Sequence, residues 1–79
     1  MTTEQVHAAY NDFMRGLTLG EALGVRPRLY LGYFAAADLH QELVSIRIME
    51  EGENLLDRTL YDMPIKICPS LPPEGLKVE

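Results

Sequence analysis

Apolar residues in the first part of the chain recur every three or four positions. The stripe consists of Val6, Ala9, Tyr10, Phe13, Met14 and Leu17. Such spacing places one apolar face along an α-helix. Thr2 followed by Gln5 has the capping-box pattern of a helix start, and Gly16 is a natural stop. The pattern therefore predicts an N-terminal helix, and a repeat of the capping pattern predicts one further turn from Thr18 to Leu23.

The middle of the chain predicts a short strand and a second helix. The segment Arg28–Gly32 is rich in residues that suit a pleated surface. From Tyr33 to about Glu51 an apolar stripe indicates a helix that Gly52 closes. Residues 44–49 also alternate as a strand does. If they are extended, residues 51–54 become a hairpin turn and residues 55–61 the returning strand, although the helix is favoured.

Two segments near the C-terminus alternate between apolar and polar residues, as half-buried strands do. They are Met63–Cys68 and Leu76–Val78, and the proline-rich residues 69–75 between them cannot form a helix. If these strands pair, their apolar residues share one face and their lysines face solvent. We therefore expect an α+β fold: N-terminal helix, short strand, second helix and C-terminal β-hairpin, packed as a single domain over residues 1–79.

Composition and charge exclude several classes of protein. The chain has 79 residues, of which 47% are apolar and 24% charged, which is typical of a globular domain and not of a disordered one. A net charge of −5 repels phosphate backbones and argues against nucleic-acid binding. The chain shows neither a secretion signal nor an apolar stretch of about 20 residues that would span a membrane. A single cysteine, Cys68, is typical of a reducing compartment, so the sequence predicts a cytoplasmic protein.

A chain of this length has a thin core, since it buries roughly 60–65% of the surface that its unfolded form exposes. Cys68 is the only cysteine, so no internal disulfide can form. His7, His40 and Cys68 stand alone on separate elements, and we expect neither a metal nor another cofactor. Self-association, most simply as a homodimer, is the remaining way to add stability. A marginally stable monomer is the alternative.

Candidate catalytic groups are few and scattered. Cys68 would need a base such as His40 to act as a nucleophile, and nothing in the sequence brings the two together. The carboxylates between residues 50 and 62 crowd around a helix end and a loop, where acidic side chains are normally solvated. We therefore expect no enzymatic activity.

Aromatic and charged side chains instead suggest a surface for a partner protein. Tyrosine and arginine dominate interface hot spots, and an alternative is that the tyrosines line the core with their hydroxyls at its rim. A run of acidic residues could dock on a basic groove or could be ordinary solvated surface. The candidate partner-binding residues are Tyr30, Tyr33 and Tyr61, Arg26, Arg28 and Arg58, and the acidic Glu50, Glu51, Glu53 and Asp57.

The arrangement of strand Arg28–Gly32, a helix, and then Leu60–Ile67 resembles a pattern in small uncharacterised phage and prophage proteins. The resemblance covers roughly residues 27–79, and this chain has Asp62 where those proteins usually have glycine. It implies no activity and no catalytic residues, but it implies a setting in which short proteins bind and disable a host protein. The sequence therefore predicts a non-enzymatic protein-binding domain, an inhibitor or adaptor. A structural or assembly protein that acts through self-association is the alternative.

Overall fold

The first helix begins where the capping box predicts. A computed structural model describes residues 2–79 of the chain. Helix α1 spans Thr3–Arg15, and the Thr2 hydroxyl accepts a hydrogen bond from the Gln5 amide at 3.3 Å while the Thr2 amide donates to the Gln5 side chain at 2.8 Å. A second capping box starts the short helix α2, Leu19–Gly24. Both predictions are confirmed.

Four short strands form one mixed sheet. They are β1 (Leu29–Leu31), β2 (Thr59–Leu60), β3 (Met63–Ile67) and β4 (Leu76–Val78), in the spatial order β2-β3-β1-β4. Strand β1 runs parallel to β3 and antiparallel to β4, whereas β2 and β3 form the hairpin. The expected direct pairing of the last two strands is therefore wrong, because β1 lies between them and bonds to both.

The alternation of each strand nevertheless divides the sheet into the two expected faces. Leu29 and Leu31 are fully buried, and their partners in β3 include Ile65, which is also buried. On the opposite face the register places Tyr30 between Lys66 and Lys77. We call this opposite side the outer face of the sheet.

Helix α3 spans Tyr33–Ser45 and ends earlier than the sequence predicts. Arg47 follows with φ 63°, a left-handed conformation, and its amide donates to the Val44 carbonyl at 3.0 Å. The Ile48 amide donates to the Leu43 carbonyl at 2.9 Å. These two bonds form a Schellman motif, which ends a helix. Residues 44 and 45 are thus the last residues of the helix and residues 46–49 form neither helix nor strand, so Glu50 and Glu51 lie in a loop and not on a helix end.

The proline-rich segment completes the start of α3, which has no capping side chain at Gly32. The Ala35 amide donates to the Pro73 carbonyl at 2.8 Å, and the Gly32 amide donates to the Gly75 carbonyl at 3.0 Å. A β-carbon on Gly32 would lie 2.1 Å from the Pro72 carbonyl oxygen, so only glycine fits at this close approach.

The two longer helices cover the inner face of the sheet and share one apolar core with it. The core consists of Val6, Leu29, Leu31, Ala35, Ala36, Leu39, Leu43, Met49, Leu55, Met63 and Ile65. Leu55 begins a short 3₁₀ helix, Leu55–Asp57, that packs near β3. Helices and a mixed sheet around one core confirm the α+β class.

Candidate functional site

A groove of about 370 Å³ runs between α3 and the segment that leads into the 3₁₀ helix. We call it the α3 groove. Its lining consists of Tyr33, Ala36, Ala37 and His40 from α3, residues 53–56 from the opposite wall, and Ile67 from β3. Its rim carries two strongly exposed apolar side chains, since Tyr33 is 62% exposed and Leu56 45% exposed.

The groove exists because the wall of α3 is made of small residues. Ala36 and Ala37 lack side chains long enough to fill the space in front of the 3₁₀ helix. The opposite wall is held in place by Asn54, whose side chain accepts a hydrogen bond from the Leu56 amide at 3.0 Å and so caps the 3₁₀ helix. Main-chain hydrogen bonds of α3 on one side and the Asn54 cap on the other thus support the two walls.

Polar contacts join the two walls at one end of the groove. The Nε2 of His40 donates to the Glu53 carbonyl at 3.1 Å. The Glu53 carboxylate accepts from the Glu50 amide at 2.9 Å and from Nε of Arg58 at 2.8 Å. The Glu50 amide first, and Arg58 second, hold the pKa of the Glu53 carboxyl below its usual range.

The groove continues along α3 into a second hollow of about 250 Å³ that also involves His40. Val44 and Glu51 line this extension. Glu51 and Glu50 are exposed, and Arg58 pairs with Glu53 rather than with either of them. The combined surface therefore carries the Tyr33 ring at one end and the exposed Glu51 carboxylate at the other.

The structure brings only some of the predicted binding residues together. Tyr33, Glu53 and Arg58 meet at or beside the α3 groove, and the acidic Asp57 follows its wall. Tyr30 lies half-buried on the outer face of the sheet, together with the exposed Arg28.

Tyr61 lies elsewhere, at the turn of the β2–β3 hairpin. Tyr61 and Asp62 both have positive φ angles, 51° and 62°, as the two central residues of a type I′ turn require. The Tyr61 ring stacks on His7 with centroids 4.9 Å apart and meets the edge of Tyr10 at 6.3 Å. Its hydroxyl donates to the Thr3 carbonyl at 3.4 Å. Tyr61 thus fastens the hairpin to α1, which is a structural role.

Sequence reasoning overlooked several exposed apolar residues. Leu19 and Leu23 of α2 are 79% and 78% exposed, and Ile48, which follows the end of α3, is 53% exposed. The spacing of Leu19 and Leu23, four residues apart in a helix, was a signal that both lie on one side. Nothing local to the sequence could show that this side lacks a covering element.

The two candidate catalytic side chains have separate partners. His40 bonds to the Glu53 carbonyl, whereas the Cys68 sulfur lies 3.1 Å from the Ser70 hydroxyl. That hydroxyl lowers the pKa of the Cys68 thiol, with burial acting in the opposite direction. Within residues 2–79, no three side chains of the metal-binding types lie together as a group that could hold a metal ion.

Comparison of the chain with protein families, with curated proteins and with solved structures found no match. None of the helices formed by residues 2–79 is long and apolar enough to cross a membrane.

Proposed function

We propose that this chain is a non-enzymatic protein-binding domain of the cytoplasm that acts as an inhibitor or adaptor and binds its partner at the α3 groove. One observation carries the proposal: two exposed apolar side chains, Tyr33 and Leu56, stand on opposite walls of one groove. Aromatic side chains at the rim of a concave surface are typical binding anchors.

The polarity of the groove indicates the chemistry of the partner segment. Apolar side chains of the partner would fill the Tyr33 end, where Ala36, Ala37 and Ile67 form the floor and wall. A basic side chain would lie at the other end, beside Glu51. The resemblance to phage and prophage proteins suggests a host protein as the partner to look for.

Two adjacent aromatic residues offer a matched test. Tyr33 and Phe34 are 62% and 61% exposed, but only Tyr33 lines the groove. Tagged wild-type chain, Tyr33→Ala and Phe34→Ala would each be used to capture proteins from lysate of the source organism or its host, with quantification by mass spectrometry. We expect one stoichiometric protein that wild type and Phe34→Ala retain and that Tyr33→Ala loses. Equal retention by all three baits, or loss with Phe34→Ala alone, would reject the α3 groove as the binding site.

A second candidate function is assembly through self-association, and α2 supports it. Leu19 and Leu23 project from one side of this helix and are almost as exposed as in an isolated peptide. Covering them with a second copy would remove this apolar surface from water. Size-exclusion chromatography with light scattering would show oligomers for the wild type and monomers for the double variant Leu19→Gln, Leu23→Gln. A monomeric wild type at high concentration would rule this function out.

A further inference from the structure

Strand β4 lies at the edge of the sheet, and some of its main-chain amides and carbonyls point away from the neighbouring strand. In the spatial order β2-β3-β1-β4, the neighbour of β4 is β1. The Arg28 amide donates to the Glu79 carbonyl at 2.8 Å, and the Glu79 amide donates back at 3.1 Å. Because hydrogen-bonded and non-bonded pairs alternate in an antiparallel ladder, Lys77 also bonds to β1, whereas the amides and carbonyls of Leu76 and Val78 point outward.

These outward groups form a template for one more strand. Among residues 2–79, no backbone or side-chain partner bonds to the amide or carbonyl of Leu76 or Val78. An unpaired edge of this kind can accept an extended segment, whose main chain supplies affinity while alternate side chains supply specificity.

The two faces of β4 differ in chemistry and so select the side chains of such a segment. On the inner face, Leu76 and Val78 are half-buried and pack against the core. On the outer face, the Lys77 side chain is 55% exposed and its ammonium lies 3.2 Å from the Glu79 carboxylate. An added strand would place two apolar side chains beside Leu76 and Val78. The side chain of the residue between those two apolar residues would then lie beside Lys77.

The outer face around Lys77 is basic, although the whole chain carries a net charge of −5. The register sets Lys66 and Lys77 on the two sides of Tyr30, and the alternation of β1 sets Arg28 on the same face. Glu79 shares this face, where it pairs with Lys77. An acidic side chain in the added strand therefore meets complementary charge.

We propose that the edge of β4 binds an extended segment of a partner protein in which an aspartate or glutamate stands between two apolar residues. A second copy of this chain fits less well. The antiparallel register that uses the outward groups of both Leu76 and Val78 pairs Leu76 of each copy with Val78 of the other. It would place the two Lys77 side chains directly opposite each other, where like charges are destabilising. This site is separate from the α3 groove, so Tyr33→Ala leaves it unchanged.

Amide hydrogen exchange of the full-length chain, followed by NMR, tests the first step. We expect the Leu76 and Val78 amides to exchange much faster than the Lys77 amide, because only the Lys77 amide bonds to β1. Equal protection of all three amides would show that the edge is already covered, and would overturn the proposal.

Titration with two short peptides tests the second step. In one peptide valine alternates with glutamate, and in the other valine alternates with lysine. We expect the glutamate peptide to slow exchange at Leu76 and Val78 and to bind at least tenfold more tightly at low salt. Lys77→Glu should reverse the preference for the two peptides. Val78→Pro removes an outward amide that does not bond to β1. It should abolish peptide binding, while the variant still unfolds in one cooperative transition, as a folded domain does.

Three results would overturn the proposal. The first is equal binding of both peptides, and the second is a set of chemical-shift changes that map to the α3 groove instead of β4. The third comes from a parallel titration with an oligothymidine: it is binding of the oligothymidine, and not of the peptide, to the row formed by Lys66, Tyr30 and Lys77. The last result would identify a single-stranded nucleic acid as the occupant of the outer face.

Discussion

The end of α3 allows a quantitative test, because a bulky residue occupies a backbone conformation that suits glycine. Arg47 is the residue of the Schellman motif that takes φ 63°, and its side chain is exposed. A left-handed conformation costs a residue with a β-carbon roughly 1–2 kcal/mol. Glycine avoids this cost but loses more backbone freedom on folding, roughly 0.5–1 kcal/mol relative to alanine.

The comparison of Arg47→Gly with Arg47→Ala isolates the backbone contribution. Both variants lose the same guanidinium, and with it any favourable interaction with the C-terminal end of the helix dipole. The glycine variant should therefore be more stable than the alanine variant by about 0.5–1 kcal/mol, which is the difference between the lower limits and between the upper limits of the two costs given above. For a domain of this size that corresponds to a melting temperature higher by about 2–8 °C.

Urea unfolding monitored by circular dichroism would measure this difference, with equal m-values for the two variants as the sign of a two-state comparison. If the alanine variant is as stable as the glycine variant, Arg47 is not held in the left-handed region. In that case α3 does not end in the Schellman motif described above, and the longer helix predicted from the sequence would become tenable again.

Two further predictions concern a backbone contact and an ion pair. Gly32→Ala should destabilise the domain by about 2 kcal/mol or more, since the new β-carbon would overlap the Pro72 carbonyl. The control, Gly24→Ala, places its β-carbon where nothing lies within 4 Å and should be neutral or stabilising. Thermal melts of both variants check this, and equal losses of stability would refute it. The lowered pKa of Glu53 means that its ionisation stabilises the fold above the unfolded-state pKa, about 4.3, and that this contribution is lost as the pH falls through the lower folded-state pKa. Glu53→Gln should therefore flatten the acid limb of a plot of unfolding free energy against pH, and an unchanged slope would show that Glu53 is not held by its partners in solution.

Local signals in the sequence predicted the elements better than their connections. The two capping boxes and the alternation of β3 and β4 depend on neighbouring residues, so the sequence alone was sufficient for them. The pairing of β1 with both β3 and β4 could not be read in this way, because the same alternation is compatible with direct pairing of β3 and β4. The sequence pattern predicts too long an α3 because Val44–Met49 has apolar residues at both helical and strand spacings.

The candidate site was predictable only in part. The sequence indicates Tyr33 by its aromatic ring and Glu53 by its place in an acidic run. Their meeting across a groove depends on how α3 packs against the 3₁₀ helix. Leu56 and His40 carried no local signal of a binding role. Tyr61 resembled an interface residue by composition, whereas its stacking on His7 arises from the hairpin turn.

The position of β1 in the middle of the sheet has a consequence for how the chain folds during synthesis. Both strands that flank β1 are translated after it, on the far side of α3. In a ribosome-bound chain that ends before residue 76, one of the two edges of β1 is unpaired. Until Pro73 has emerged, α3 also lacks the carbonyl that accepts a hydrogen bond from the Ala35 amide in its first turn. Long-range pairing of this kind closes large loops before contacts compensate for the lost entropy, so we expect slow, highly cooperative folding that is completed only once the last strand has left the exit tunnel.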